Sequence, residues 1–93
     1  MKALSSEEVR ERLAKTPGWE LDGHSIRKRF RCADFTSAIA FVDKVAEIAE
    51  AADHHPDIAV NYDRVTLTLS THAAGGLTER DFALAAEIET VAP

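Results

Sequence analysis

The fold is decided by residues 34–71, DFTSAIAFVDKVAEIAEAADHHPDIAVNYDRVTLTLST, in which the apolar spacing changes from three and four residues to two. Asp34 is a candidate N-cap, and a helical face of about five turns is predicted to follow it. The helix is expected to end by His55, because Pro56 biases the preceding residue away from helical angles. The predicted face consists of Phe35, Ala38, Ile39, Val42, Val45, Ala46, Ala49 and Ala52, and is widened by Phe41 and Ile48.

A hairpin is predicted after this helix. Residues 58–62 and 65–71 are the two candidate strands, and Asp63-Arg64 is the candidate turn between them. In the second strand Val65, Leu67 and Leu69 point to one face, and Thr66, Thr68 and Ser70 point to the other. This alternation is typical of an antiparallel sheet that is covered on one side only.

The remaining segments complete the order of elements. Ser5 and Glu8 have capping-box spacing at the start of a first helix. Residues 19–22 and 25–31 are predicted to form a second hairpin around Asp22-Gly23. The last helix is predicted to begin at its cap, Thr78. Its buried side is expected to consist of Phe82, Leu84, Ala85, Ile88 and Val91. The order α-β-β-α-β-β-α predicts a single α+β domain over residues 1–93, with a four-stranded antiparallel sheet and helices packed on one face.

Length and charge exclude several classes of protein. Ninety-three residues make one domain. The net charge of −5 argues against direct nucleic-acid binding, which depends on neutralising phosphates. The sequence shows no signal peptide and no apolar run long enough to span a membrane, so a cytoplasmic protein with no membrane partner is expected. Cys32, the single cysteine, cannot form an internal disulfide, and a small buried side chain is its expected role.

Three of the four histidines lie at predicted element boundaries. His54 and His55 stand between the long helix and the third strand, and His72 ends the predicted fourth strand. Because hairpin pairing places the start of one strand beside the end of the other, the three imidazoles are expected to converge.

The residues leave three interpretations of this cluster open. The histidines could cap the carbonyls at the helix end. Together with Asp53 or Asp81 they could form a zinc site, although neighbouring histidines rarely point at one ion. They could also act as acid and base, because imidazole gives and takes protons near neutral pH.

The pattern resembles the signature of the pterin-4a-carbinolamine dehydratases. The matching residues are Glu50-x-x-x-His54-His55-Pro56, then Tyr62 after five residues, His72 after nine more and Asp81 after a further eight. The segment from Gly76 to Asp81, GLTERD, is similar to the second conserved block of that family.

The resemblance implies a dehydratase, a lyase that removes water from a 4a-hydroxytetrahydropterin to give the quinonoid dihydropterin in tetrahydrobiopterin recycling. No metal and no cofactor are implied. The implied catalytic residues are His54, His55 and His72, with His54 and His72 as the acid–base pair and His55 binding and orienting the pterin. The implied substrate-binding residues are Glu50, Asp53, His54, His55, Ser70, Thr71, His72 and Asp81. Arg80 and Asp81 are also expected to support the site.

The resemblance further implies assembly into a homodimer or homotetramer. Phe41 and Ile48, which lie off the predicted main stripe of the long helix, support the same expectation. A rival implication is a non-catalytic scaffold of the same fold, which assists transcription-factor dimerisation or enzyme assembly. The complete histidine set favours the enzyme.

Overall fold

A computed structural model describes residues 2–93. The predicted order α-β-β-α-β-β-α is confirmed, and a single 3₁₀ turn precedes the last helix. The elements are α1 (Ser6–Ala14), β1 (Glu20–Asp22), β2 (Ser25–Arg31), α2 (Phe35–Ala52), β3 (Asp57–Asn61), β4 (Arg64–Leu69), the 3₁₀ turn (His72–Ala74) and α3 (Glu79–Glu89).

The four strands form one antiparallel sheet in the order β1-β2-β4-β3. The predicted alternation in β4 is confirmed, because Val65, Leu67 and Leu69 are completely buried. Ile26 and Phe30 of β2 are paired with Leu69 and Val65, so the two central strands supply the apolar floor on which the helices pack. β3 pairs with β4 on the other side, and Asp57 is opposite Thr68. The start of β3 and the end of β4 therefore lie at the same end of the sheet.

The caps predicted from the sequence are present. The Ser5 side chain accepts a hydrogen bond from the Glu8 amide, and the Glu8 carboxylate accepts one from the Ser5 amide. Asp34 accepts from the Ser37 amide at 2.8 Å and begins α2. Thr78 begins α3. Local side-chain chemistry therefore sets the start of all three helices.

The predicted buried face of α2 was wrong by part of a turn. The buried residues are Ala38, Phe41, Val45 and Ala49, whereas Phe35 and Ile39 are exposed. Phe41 is buried because its ring packs against Phe30 of β2, with ring centroids 4.9 Å apart. Alanines are spread around the whole helix, so the apolar spacing did not distinguish the two faces.

The second hairpin also differs from the prediction. Its turn is Tyr62-Asp63, and Tyr62 adopts a left-handed conformation with φ 57°. β4 ends at Leu69, two residues before the predicted end, and His72 lies in the 3₁₀ turn instead of ending the strand. Thr71 forms an isolated bridge with Gly76, which closes this turn into a compact loop.

Trp19 anchors the core beside the first hairpin. Its ring meets Phe30 edge-on at 6.0 Å, and its Nε1 donates to Glu89 Oε2 at 3.0 Å. None of the helices within residues 2–93 combines the length and the apolar character that crossing a lipid bilayer requires.

Candidate active site

The end of α2 places His54 and His55. Asp53 caps the helix in a left-handed conformation with φ 51°, and the His54 amide donates to the Ala49 carbonyl at 3.1 Å. A 6→1 bond of this kind is the mark of a Schellman ending, which reverses the chain within two residues. The chain therefore leaves the helix at Asp53 and enters β3 at Asp57, with both histidines in the connection.

His54 belongs to a buried hydrogen-bond network centred on Asp81. Its Nε2 lies 2.6 Å from Oδ1 of Asp81, and only 8% of His54 and 0% of Asp81 is exposed. The other carboxylate oxygen, Oδ2, accepts from the Thr71 hydroxyl at 2.8 Å and from the Thr78 amide at 2.9 Å. The two threonine hydroxyls are 2.9 Å apart. The network joins the end of α2, the loop after β4 and the start of α3.

His55 has different surroundings. Its Nε2 lies 2.6 Å from Oε1 of Glu50, which is on the last turn of α2. Both side chains are open to solvent, with 56% of His55 and 77% of Glu50 exposed. Neighbouring histidines thus face opposite environments.

Three further predicted site residues, Ser70, Thr71 and His72, lie on the segment that directly follows β4. Thr71 is buried in the Asp81 network, and His72 directly follows it with an exposed side chain. Ser70 is half-buried at the end of β4. Within residues 2–93 the His72 ring makes no hydrogen bond that ties it to His54 or His55. The predicted convergence of the three imidazole rings therefore stays a prediction.

The zinc interpretation requires several ligands that point at one ion. In the part of the chain that the structure describes, no group of three or more histidine, cysteine, aspartate or glutamate side chains is arranged to hold a metal. The Asp81 carboxylate is instead engaged by His54, Thr71 and Thr78.

Cys32 is not part of the hydrogen-bond network around Asp81. It is buried between β2 and α2, and its burial raises the pKa of its thiol, with smaller contributions from Asp63 and Asp34. A raised pKa leaves the thiol protonated near neutral pH, which makes it a weak nucleophile. Its expected role as a small buried residue fits this position.

Thr78 was missed as a site residue. The sequence identified it as a helix cap, and the spacing Thr78-x-x-Asp81 is itself a capping-box pattern. The capping box is present, but it is buried and shares its carboxylate with His54. The capping-box pattern could have linked Thr78 to Asp81. It could not have predicted His54, which lies 27 residues before Asp81 in the sequence.

A groove lies in another part of the molecule. It has a volume of about 730 Å³ and runs between α1, the β1–β2 turn and the loop at Gly75 and Gly76. Its walls are mainly apolar and include Leu4, Leu13 and Leu21. None of the predicted site residues lines it, so the buried network and not the groove marks the candidate site.

The comparisons with known proteins identify the family of the chain. The family described as Pterin 4 alpha carbinolamine dehydratase matches residues 2–91. A protein of Chloroflexus aurantiacus, named "Putative pterin-4-alpha-carbinolamine dehydratase", is 56% identical over 91 residues and spans 98% of both chains. A protein of the same name from Acidobacterium capsulatum is 53% identical over 91 residues, covering 98% of this chain and 99% of its own.

Two solved structures share the fold. One, a transcriptional coactivator/pterin dehydratase from Brucella melitensis, superposes with a TM-score of 0.93 at 36% identity over 99% of this chain and 100% of its own. The other, a pterin dehydratase-like protein identified as a RuBisCO assembly factor in the alpha-carboxysome, gives a TM-score of 0.64 at 26% identity over 78% and 84% of the two chains. With a family match over nearly its whole length and relatives above 50% identity, the chain belongs to the pterin-4a-carbinolamine dehydratase family.

Proposed function

We propose that this protein dehydrates a 4a-hydroxytetrahydropterin to the quinonoid dihydropterin in tetrahydrobiopterin recycling. The observation that carries the proposal is the 2.6 Å contact between His54 and the buried carboxylate of Asp81. A histidine held by a carboxylate has a fixed orientation and a defined tautomer, which acid–base catalysis requires.

The reaction needs one acid and one base. The bond between C4a and its hydroxyl oxygen breaks once that oxygen receives a proton, and water leaves. The lone pair of the neighbouring ring nitrogen forms the new double bond to C4a, and the hydrogen on that nitrogen passes to the base. The proton given by the acid balances the proton taken by the base, so no oxidant and no cofactor is consumed.

His54 and His72 are the proposed acid–base pair. Nε2 of His54 is occupied by its contact with the Asp81 carboxylate. This leaves Nδ1 of His54 as the nitrogen that exchanges a proton with the pterin. His72, exposed beside Thr71, is the proposed partner.

The exposed residues have the proposed role of holding the substrate. His55 and Glu50 form a polar pair that water and pterin can both reach. Asp53, Ser70 and the buried Thr71 have the proposed role of offering polar and main-chain groups to the pterin. Asp81 is proposed to act on the substrate through His54, since its own oxygens are occupied by protein partners.

The experiment is a dehydration assay with 4a-hydroxytetrahydropterin, comparing wild type with His54→Ala and His72→Ala. Each variant is expected to lose about 10²-fold or more in rate, the usual scale for one acid–base group. His24, which is exposed beside the first hairpin turn, supplies the matched control His24→Ala, which should keep the wild-type rate.

Two outcomes would contradict the proposal. A wild-type protein no faster than buffer would exclude the dehydratase, and folded His54 and His72 variants at wild-type turnover would exclude the acid–base assignment. The assay is repeated after exhaustive chelation, because acid–base catalysis is expected to survive it and a zinc mechanism is not.

A second candidate is a scaffold without catalysis. It is favoured by the RuBisCO assembly factor of related fold. A scaffold has no use for a histidine fixed by a buried carboxylate, so the dehydratase remains the preferred function. The scaffold would become the preferred function if the wild type were inactive in the dehydration assay and if His54→Ala still bound a partner protein.

We also propose that the protein works as a homodimer or homotetramer in the cytoplasm. Phe35 and Ile39 expose apolar side chains on one face of α2, and Ile58 and Tyr62 do so around the edge strand β3. Phe41 and Ile48 do not contribute to this exposed surface, because Phe41 is buried and Ile48 packs against the core. Burying this surface and the open backbone of β3 would stabilise a closed assembly.

Light scattering at micromolar concentration tests the assembly. A mass near 20 or 40 kDa, roughly two or four chains of 10.2 kDa, is expected. A stable species of one chain with full activity would contradict it.

A further inference from the structure

The C-terminal end of α2 receives its positive charge from another helix. The last carbonyls of a helix lack intrahelical partners and carry partial negative charge, which a cation close by stabilises. The last turn of α2 contains no basic residue. Nη2 of Arg80, from the first turn of α3, instead donates to the carbonyl oxygens of Ala52 at 3.1 Å and Asp53 at 2.6 Å.

These two carbonyls belong to the segment that aims the histidines. Asp53 is the left-handed residue at which the chain turns, and His54 follows it directly. A left-handed conformation is unfavourable for a residue with a side chain, so it persists where the surroundings hold it. Arg80 is one of the groups that hold it, through a short hydrogen bond to the Asp53 carbonyl.

Arg80 and Asp81 are neighbours at the start of α3, and they fix different parts of the same segment. Asp81 contacts the His54 ring, and Arg80 contacts the backbone immediately before it. The contact with Asp81 limits rotation of the His54 side chain. The contact with Arg80 limits displacement of the His54 Cα.

We infer that Arg80 is a positioning residue for the proposed dehydration, acting through the Ala52 and Asp53 carbonyls to place the imidazoles of His54 and His55. This inference rests on the proposed function. This role differs from a general contribution to stability, because Arg80 is inferred to set the positions of the His54 and His55 side chains.

The test compares Arg80→Met with Arg80→Lys and with the control Arg12→Met. Arg12 forms an ion pair with Glu79, so its loss disturbs the same end of α3 and leaves the α2 carbonyls untouched. Each variant is assayed at a temperature at which it is fully folded. Proton–carbon NMR of the imidazole rings is recorded alongside, with His24 as the internal reference.

Arg80→Met is expected to lower kcat about tenfold, because a small misplacement of a reacting group has a large effect on rate. KM should rise as well, because His55, which is proposed to hold the pterin, is displaced together with His54. The ring signals of His54 and His55 should shift while that of His24 stays. Arg80→Lys, which retains a cation, should recover most of kcat, and Arg12→Met should resemble wild type in both measurements.

Unmoved His54 and His55 signals in Arg80→Met overturn the inference whatever the rate, and so does an equal loss of kcat in Arg12→Met. In an active enzyme, an unchanged kcat in Arg80→Met also overturns it. If wild type is inactive while the two ring signals move in Arg80→Met alone, the proposed function fails and the positioning stands. Should Arg80→Met not fold, Arg80→Gln, which keeps two N–H donors without the charge, takes its place in every comparison.

Discussion

Two histidine–carboxylate pairs of equal length lie at the end of α2, one buried and one exposed. The buried pair joins His54 to Asp81, and the exposed pair joins His55 to Glu50, each at 2.6 Å. The buried carboxylate has two further donors, whereas Glu50 makes no other side-chain hydrogen bond among residues 2–93. An equal distance therefore describes two different interactions.

The difference lies in what replaces each contact when it breaks. Water reaches His55 and Glu50 and can substitute for either partner, so such an exposed pair contributes little to stability. Asp81 is completely buried, so solvent does not reach it to replace a lost partner, and a buried polar group left unpaired is costly. The proposed function would use both properties, because a buried pair of fixed geometry suits an acid–base group and an exposed pair could adjust to a bound ring.

Replacing the two carboxylates with alanine is the strongest test of this contrast. Asp81→Ala is expected to lower the free energy of unfolding by about 3 kcal/mol, because the His54 ring, the Thr71 hydroxyl and the Thr78 amide lose their common acceptor. Glu50→Ala should stay within about 0.5 kcal/mol of wild type. Urea unfolding at pH 7 measures both. An equal loss of unfolding free energy in Asp81→Ala and Glu50→Ala would contradict the contrast between the buried and the exposed pair.

A smaller effect is expected at the next partner in the buried network. Thr71→Val keeps the shape of the side chain and removes the hydroxyl that donates to Asp81, so a loss of about 1–2 kcal/mol is expected. Thr66→Val, on the open face of the sheet, is the matched control and should be close to neutral. The same urea measurement decides, and a neutral Thr71→Val would mean that the Thr78 amide alone satisfies Oδ2.

Much of the fold was predictable because its signals are local. The caps at Ser5, Asp34 and Thr78 each depend on residues within one helical turn, and all three are present. The alternation of Val65, Leu67 and Leu69 depends on strand geometry alone, and it placed the sheet floor correctly. The register of α2 was not predictable, because its many alanines make several faces equally apolar.

The resemblance named the residues of the candidate site, but it did not predict how they are arranged. The resemblance pointed to His54, His55 and Asp81 together, but it did not distinguish the buried histidine from the exposed one. That distinction depends on the start of α3 packing against the end of α2, a contact between residues 27 apart. The role of Thr78 as a further partner of Asp81 was hidden for the same reason.

The smallest effect is expected at the opposite end of α2, where Asp34 is an exposed carboxylate with a fixed partner. Its hydrogen bond from the Ser37 amide holds the pKa of the Asp34 carboxyl below its usual range. Because the folded pKa is the lower one, the stabilisation is fully present above the ordinary aspartate pKa of about 3.9 and is lost as pH falls through the folded value. Asp34→Asn keeps a side-chain oxygen for the cap and removes the charge. Its melting temperature should therefore lie slightly below that of wild type at pH 7, and the two should converge as the solution becomes more acid than pH 3.9. Thermal unfolding followed by circular dichroism across this range measures the difference. A gap that stays constant from pH 7 to pH 2 would show that the charge of Asp34 has no part in capping, and would leave hydrogen bonding alone as the reason for the cap.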